Sequence, residues 1–134
     1  MEVKNVKVAI TCTGQSLTDE LDQRFGRADY FLVIDSVSFE YTVINNAART
    51  ASGGAGIAAA QSIIDHQVEA VITGQLGPNA LNVLSDAGIA MYQGSAGSAY
   101  QNLIAFNQQK LPPITSSGPA HAGMGGGRNP GNPS

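Results

Sequence analysis

At 134 residues the chain has the length of one domain with a real core, and 43% hydrophobic content fits a globular protein. A net charge of −3 and a pI near 5.1 argue against non-specific nucleic-acid binding, which needs a basic face, and no run is long and apolar enough to span a membrane. One cysteine excludes an internal disulfide, and Met1-Glu2-Val3-Lys4 leads straight into a strand pattern rather than a signal peptide, so the reducing cytoplasm is the expected location.

Val6 to Thr11 reads as the first strand, with Val8-Ala9-Ile10 buried on both faces as in a central strand. Cys12-Thr13-Gly14 ends it. Gln15 to Arg27 is polar and mixed, a loop with a short helical turn around Thr18 to Leu21. Tyr30-Phe31-Leu32-Val33-Ile34 is a second strand, Ser36-Val37-Ser38 a short connection, and Phe39 to Asn45 alternates as a third, so the two form a hairpin. After the loop Asn46 to Gly54, a helix is expected from about Ala55 to His66, with Ile57, Ala60 and Ile64 on one face.

A β-α-β unit follows. Ala70-Val71-Ile72-Thr73 is a short apolar strand broken by Gly74-Gln75-Leu76-Gly77. Pro78 suits the first helical position and Gly88 the left-handed position past the helix end, with Ala80, Leu81, Leu84 and Ala87 on one face between them. Ile89-Ala90-Met91-Tyr92 is the next strand, followed by Gly94-Ser95-Ala96-Gly97-Ser98 and a last helix from about Ser98 to Gln109, carrying Ala99, Leu103 and Phe106. Nothing between Asp86 and Lys110 is charged, a surface suited to a protein partner. Pro112-Pro113 ends the folded part. The expected division is a domain over 1–113 and a disordered Gly/Pro-rich tail over 114–134.

The order β-β-β-α-β-α-β-α is solved by an α/β fold in three layers: a five-stranded mixed sheet, strand two antiparallel, with helices on both faces. The ends of the parallel strands then share one rim, where open α/β sheets bind ligands. Three glycine loops stand there, opening helices at Gly53-Gly54, Gly74 to Gly77 and Gly94 to Gly97. They read either as ordinary βα turns or as an anion cradle of free helix-start N–H groups. No phosphate-binding Gly-x-x-x-x-Gly-Lys-Ser/Thr pattern is present.

Arg24 and Arg27 flank Phe25-Gly26 and could hold an anion, or Arg27 could pair with Asp22 or Asp29. Cys12 reads as a small hydrophobe or as a soft ligand for a metal–sulfur centre. Asp35, Asp65 and Asp86 sit at element ends, so no nucleophile–base–acid set and no convergent carboxylates are expected, and the chain reads as a non-enzyme.

Phe25-Gly26-Arg27-Ala28-Asp29-Tyr30-Phe31, Gly54-Ala55-Gly56-Ile57-Ala58-Ala59-Ala60-Gln61, Glu69-Ala70-Val71-Ile72-Thr73-Gly74 with Gly77-Pro78-Asn79-Ala80, and Ala87-Gly88-Ile89 follow one another in this order. They closely resemble the dinitrogenase iron–molybdenum cofactor biosynthesis family. That family includes NifX-like proteins, the C-terminal domain of NifB and small stand-alone proteins. The resemblance spans roughly residues 5 to 112. It implies a ribonuclease-H-like fold without nuclease activity, and non-enzymatic binding or carriage of an anionic metal–sulfur cluster. The cluster implied is an iron–molybdenum precursor or a molybdenum–copper sulfide, exchanged with donor or acceptor proteins. Some members carry a histidine before the first long helix, where this chain has Ser52-Gly53-Gly54. The site expected on the rim comprises Cys12, Gly14, Arg24, Arg27, Gly53, Gly54, Gly74, Gly77, Asn79, Gly94, Ser95 and Gly97, with Cys12 as the metal ligand. A monomer or weak homodimer is expected. The alternative is a small regulatory or interaction module without a cluster, using the rim or the uncharged last helix.

Overall fold

The protein is described by a computed structural model covering residues 5–50 and 53–115. The segment expected to be a disordered tail lies, from residue 116 on, outside the described residues. Five strands, β1 (Lys7–Cys12), β2 (Tyr30–Asp35), β3 (Tyr41–Asn45), β4 (Ala70–Thr73) and β5 (Ala90–Gln93), form one sheet in the order β3-β2-β1-β4-β5. β2 pairs antiparallel with both β1 and β3, while β1, β4 and β5 are parallel neighbours. Three helices, α1 (Ala55–Asp65), α2 (Pro78–Asp86) and α3 (Ala99–Asn107), complete the expected architecture.

Strand alternation divides the core in two. Ala9, Phe31, Val33 and Val71 face one side, under Ala59, Ala60 and Ile63 of α1 and Ala80 and Leu84 of α2. Val8, Ile10, Leu32, Ile34 and Ile72 face the other, under Ala99 and Leu103 of α3. α1 and α2 therefore lie side by side on one face and α3 stands alone on the other.

Several boundaries differ from expectation, each for a local reason. Thr18 to Leu21 forms no helical turn. Asp19 N–H donates to Ser16 O at 2.9 Å, closing a tight turn, and the chain then runs back along the end of β1, with Thr13 N–H to Glu20 O and Asp22 N–H to Thr11 O, both 3.0 Å. Leu21 is thereby drawn into the core. The third strand begins at Tyr41, not Phe39. The Asp35 carboxylate accepts the N–H groups of Val37 (2.8 Å) and Ser38 (2.9 Å), and Phe39 turns at φ 65° to leave the turn. Ile57 lies off the buried stripe of α1 and is 39% exposed. Pro112-Pro113 does not end the ordered chain. Gln93 N–H donates to Pro112 O and Ile114 N–H to Met91 O, both at 2.8 Å, so the segment covers the edge of β5.

Candidate functional site

The parallel topology brings the starts of α1 and α2 to the same rim. α1 is entered through Gly54 at φ 72°, a left-handed conformation that favours glycine, and α2 through Gly77 and then Pro78. Neither start has a side-chain cap. The first helical bonds run from Ala58 N–H to Gly54 O and from Leu81 N–H to Gly77 O, both 3.0 Å. The N–H groups of Ala55, Gly56, Ile57, Asn79 and Ala80 thus have no helical acceptor. No acid stands in either first turn, although acids are favoured there and outnumber basic residues ten to seven in the chain. Both starts border one open cavity of about 200 Å³ with Phe25 and Gly26 in its wall.

Close packing builds this cradle. A Cβ on Gly56 would lie 3.3 Å from the Ala80 Cβ, and one on Gly26 would lie 2.9 Å from Gly56 N. Those two glycines let the loop before β2, α1 and α2 meet. Gly77 is different. Its φ of −72° suits any residue, and a Cβ there would meet nothing within 4 Å. The fold has no need of a glycine at 77, and a side chain there would project into open space at the α2 start. Gly53 is equally unobstructed.

Of the expected site residues, the structure gathers Gly54, Gly77 and Asn79 around this cavity, with Gly53 preceding the α1 cap. It separates the third loop. Gly94, Ser95 and Gly97 precede α3, on the opposite face, and their helix start is closed. The Ser98 hydroxyl accepts Gln101 N–H, and the Gln101 side chain accepts Ser98 N–H, both at 3.0 Å. Asn102, 1% exposed, accepts Ser95 N–H at 2.9 Å and donates to the carbonyls of Ser95 and Ser98 at 3.0 Å. A Cβ on Gly94 would strike Leu21 at 2.7 Å, and one on Gly74 would strike the Gln23 backbone at 2.5 Å, so both glycines serve packing. At Gly14 a Cβ would run into the Asp19 side chain.

Cys12 is fully buried on the α3 side, and burial pushes its thiol pKa up, away from the thiolate. Its sulfur reaches Ser16 O at 3.8 Å. Arg24 is held by a fork to Asp22, Nε and Nη2 each 3.0 Å from a carboxylate oxygen, and Asp22 is itself 3% exposed. Asp29 pairs with Arg49 at 3.5 Å, and Arg27 donates to Arg49 O at 2.6 Å. Asp22 thus pairs with Arg24 and Asp29 with Arg49, and these arginines brace the loops before β2 and α1. Among the described residues no group of three His, Cys, Asp or Glu could hold a metal ion. Sequence reasoning did not foresee that Gly26 and Gly56 pack closely beneath the cradle, and it put Ile57 on one helical face with Ala60 and Ile64, which the structure does not bury together.

Fold and site together define a small three-layer α/β protein in which two uncapped helix starts meet at the rim of a mixed sheet. The chain belongs to the dinitrogenase iron–molybdenum cofactor family, whose model matches residues 6–109. It is 31% identical to the orange protein of Desulfovibrio gigas, solved in its apo form, with a TM-score of 0.82 over 87% of this chain and 99% of that one. A candidate NifB protein from Thermotoga is 30% identical, with a TM-score of 0.72 over 84% and 99%. An uncharacterised protein of Methanocaldococcus jannaschii is 28% identical over 83% of this chain and 93% of its own length.

Proposed function

We propose that the chain binds and carries an anionic metal–sulfur cluster, without catalysing a reaction, in the cradle between the α1 and α2 starts. The cargo is of the iron–molybdenum precursor or molybdenum–copper sulfide type. The observation that carries this reading is Gly77, kept free of a side chain where the fold does not require it, next to uncapped N–H groups that favour an anion. The residues fit such a cargo: backbone donors hold its sulfides reversibly, which suits a carrier that must pass its load from donor to acceptor proteins. Cys12 and the third loop take no part. The family's name and the existence of an apo form of a relative called orange support the same reading.

A second reading is favoured by a different surface. An apolar groove of about 800 Å³ lies beside the uncharged α3, walled by Phe39, Tyr92 and Phe106, with Val37 exposed at 45%. A protein partner seated there would make the chain an interaction module without a cluster.

Anaerobic titration with tetrathiomolybdate separates the two. Binding with a visible absorption change, and shifts of the Gly56, Ile57, Asn79 and Ala80 amides, is the expected result. No binding at millimolar levels refutes the carrier reading.

A further inference from the structure

The sheet has two edges, and the fold treats them differently. β5 is covered by the segment after α3, through the bonds from Gln93 N–H to Pro112 O and from Ile114 N–H to Met91 O. β3 has a neighbour on one side only among the described residues. Asp35 N–H donates to Glu40 O at 2.9 Å, and Asn46 N–H to Asp29 O at 3.1 Å. Bonded pairs recur at every second residue of an antiparallel ladder, so Thr42 and Ile44 direct their backbone groups at β2. Tyr41, Val43 and Asn45 direct theirs outward, where no hydrogen bond meets them among the described residues.

Exposed edges are ordinarily blunted by a charge, a proline or a bulge. Tyr41-Thr42-Val43-Ile44-Asn45 carries none of these, and its register with β2 runs unbroken from Asn45 opposite Tyr30 to Tyr41 opposite Ile34. The surface beside it is apolar. Val43 packs on the α3 side, and alternation places Tyr41 on the same face. Phe39, just before the strand, holds Tyr100 of α3 at a ring separation of 5.5 Å. Tyr41 is 40% and Tyr100 46% exposed.

We propose that this edge pairs with the same edge of a second copy, antiparallel about a two-fold axis at Val43, giving one sheet continuous across two chains. A bare edge is matched by extended backbone, which alone repeats donors and acceptors at its spacing. The chain's own β3 fits that role. About Val43 the outward-facing residues map onto one another: Val43 meets the partner's Val43, and Tyr41 meets the partner's Asn45. Each such pair exchanges both backbone bonds. Like charges directly opposite would oppose self-pairing, and the strand has no charge. Glu40 at its entry is carried toward the partner's exit, which leads to a basic residue, Arg49 in this chain, whereas parallel pairing would set acid against acid. The two-fold contact closes on itself, so it yields a dimer and not a filament.

The test uses the full chain in sedimentation velocity across a concentration series, with amide hydrogen exchange of Tyr41, Val43 and Asn45 on the same samples. The wild type is expected to dimerise, with those three amides protected in step with the dimer fraction. Two double variants at exposed positions probe the register, since residues 41 and 45 face each other across the two-fold. Tyr41→Lys with Asn45→Lys sets lysine against lysine twice and should weaken the dimer at least about tenfold, while Tyr41→Lys with Asn45→Glu sets lysine against glutamate and should keep it. A wild type that stays monomeric up to about 1 mM overturns the proposal. Protection of the three amides in a monomer overturns it too, since another part of the chain then covers the edge. Equal effects of the two double variants on a dimer would place its interface elsewhere and refute the β3 pairing.

Discussion

Replacing Gly77 with serine should make the protein more stable and a poorer binder at once. Gly77 caps α2 with φ −72° and ψ 168°, a conformation serine adopts without strain, and its Cβ would enter open space. Removing glycine's freedom in the unfolded chain contributes about 0.4–1 kcal/mol. A serine hydroxyl accepting the N–H of Asn79 or Ala80 adds a few tenths more over glycine. The sum, about 1 kcal/mol, raises the melting temperature of a domain this size by roughly 4–6 °C. The same hydroxyl occupies a donor that the anion would use. A hydrogen bond to a charged group is worth about 1.5–3 kcal/mol, so affinity for tetrathiomolybdate should fall about 10- to 100-fold. Thermal unfolding by circular dichroism and anaerobic titration on the same samples give both numbers. A variant that is stabilised yet binds as tightly as wild type would sink the cradle. Destabilisation by more than about 1 kcal/mol would show that glycine at 77 serves the fold after all.

The other expectations probe residues outside the cradle. The native Cys12 thiol holds its proton more tightly than the unfolded one, whose ordinary pKa is 9.0. Its contribution to stability is therefore complete below pH 9.0 and declines as pH rises beyond it. Urea titrations should show this decline in wild type and not in Cys12→Ala, and a thiol reagent at pH 8 should modify Cys12 no faster than the protein opens; rapid labelling of the folded protein contradicts the burial. Asn102→Ala strips three hydrogen bonds from the closed loop before α3 and should cost about 2–3 kcal/mol, with thioanion affinity unchanged after correction for the folded fraction. A specific loss of affinity in that variant would return the third loop to the site.

Architecture was legible because it is written in repeated local signals. The β-branched runs at Val8-Ala9-Ile10 and Ala70-Val71-Ile72-Thr73, Pro78 at a helix start and Gly88 past its end each name an element by themselves, and parallel pairing follows from their order. The site was only half legible. Helix starts at one rim could be foreseen, but whether a start is open or closed depends on neighbours. Ser98 and Gln101 formed a readable capping pair. Nothing local marked Asn102 as buried beneath that loop, or Gln23 as packed against Gly74. Ile57 misled because a helical wheel counts it with Ala60 and Ile64, while the true buried stripe is set by the smaller Ala55, Ala59 and Ala60, which let α1 sit close to the sheet and to α2. Cys12 misled similarly: being at a strand's end puts the backbone at the rim, while the side chain's face decides what it touches.

The cradle draws on three stretches far apart in the chain, Phe25-Gly26, Gly54 to Ile57 and Gly77 to Ala80, held at van der Waals distance by glycines. No one stretch contains the pocket, so the proposed cargo has its site in the folded chain alone. Occupancy and folding are then linked by mass action. Ligand at a hundred times its dissociation constant stabilises the native state by about 2.7 kcal/mol. The linkage also runs backwards: any partner that levers α2 away from α1, without unfolding the sheet, empties the pocket. On the carrier reading proposed above, unloading would be a matter of prying two helix starts apart, with an acceptor's grip on α1 and α2 as the key.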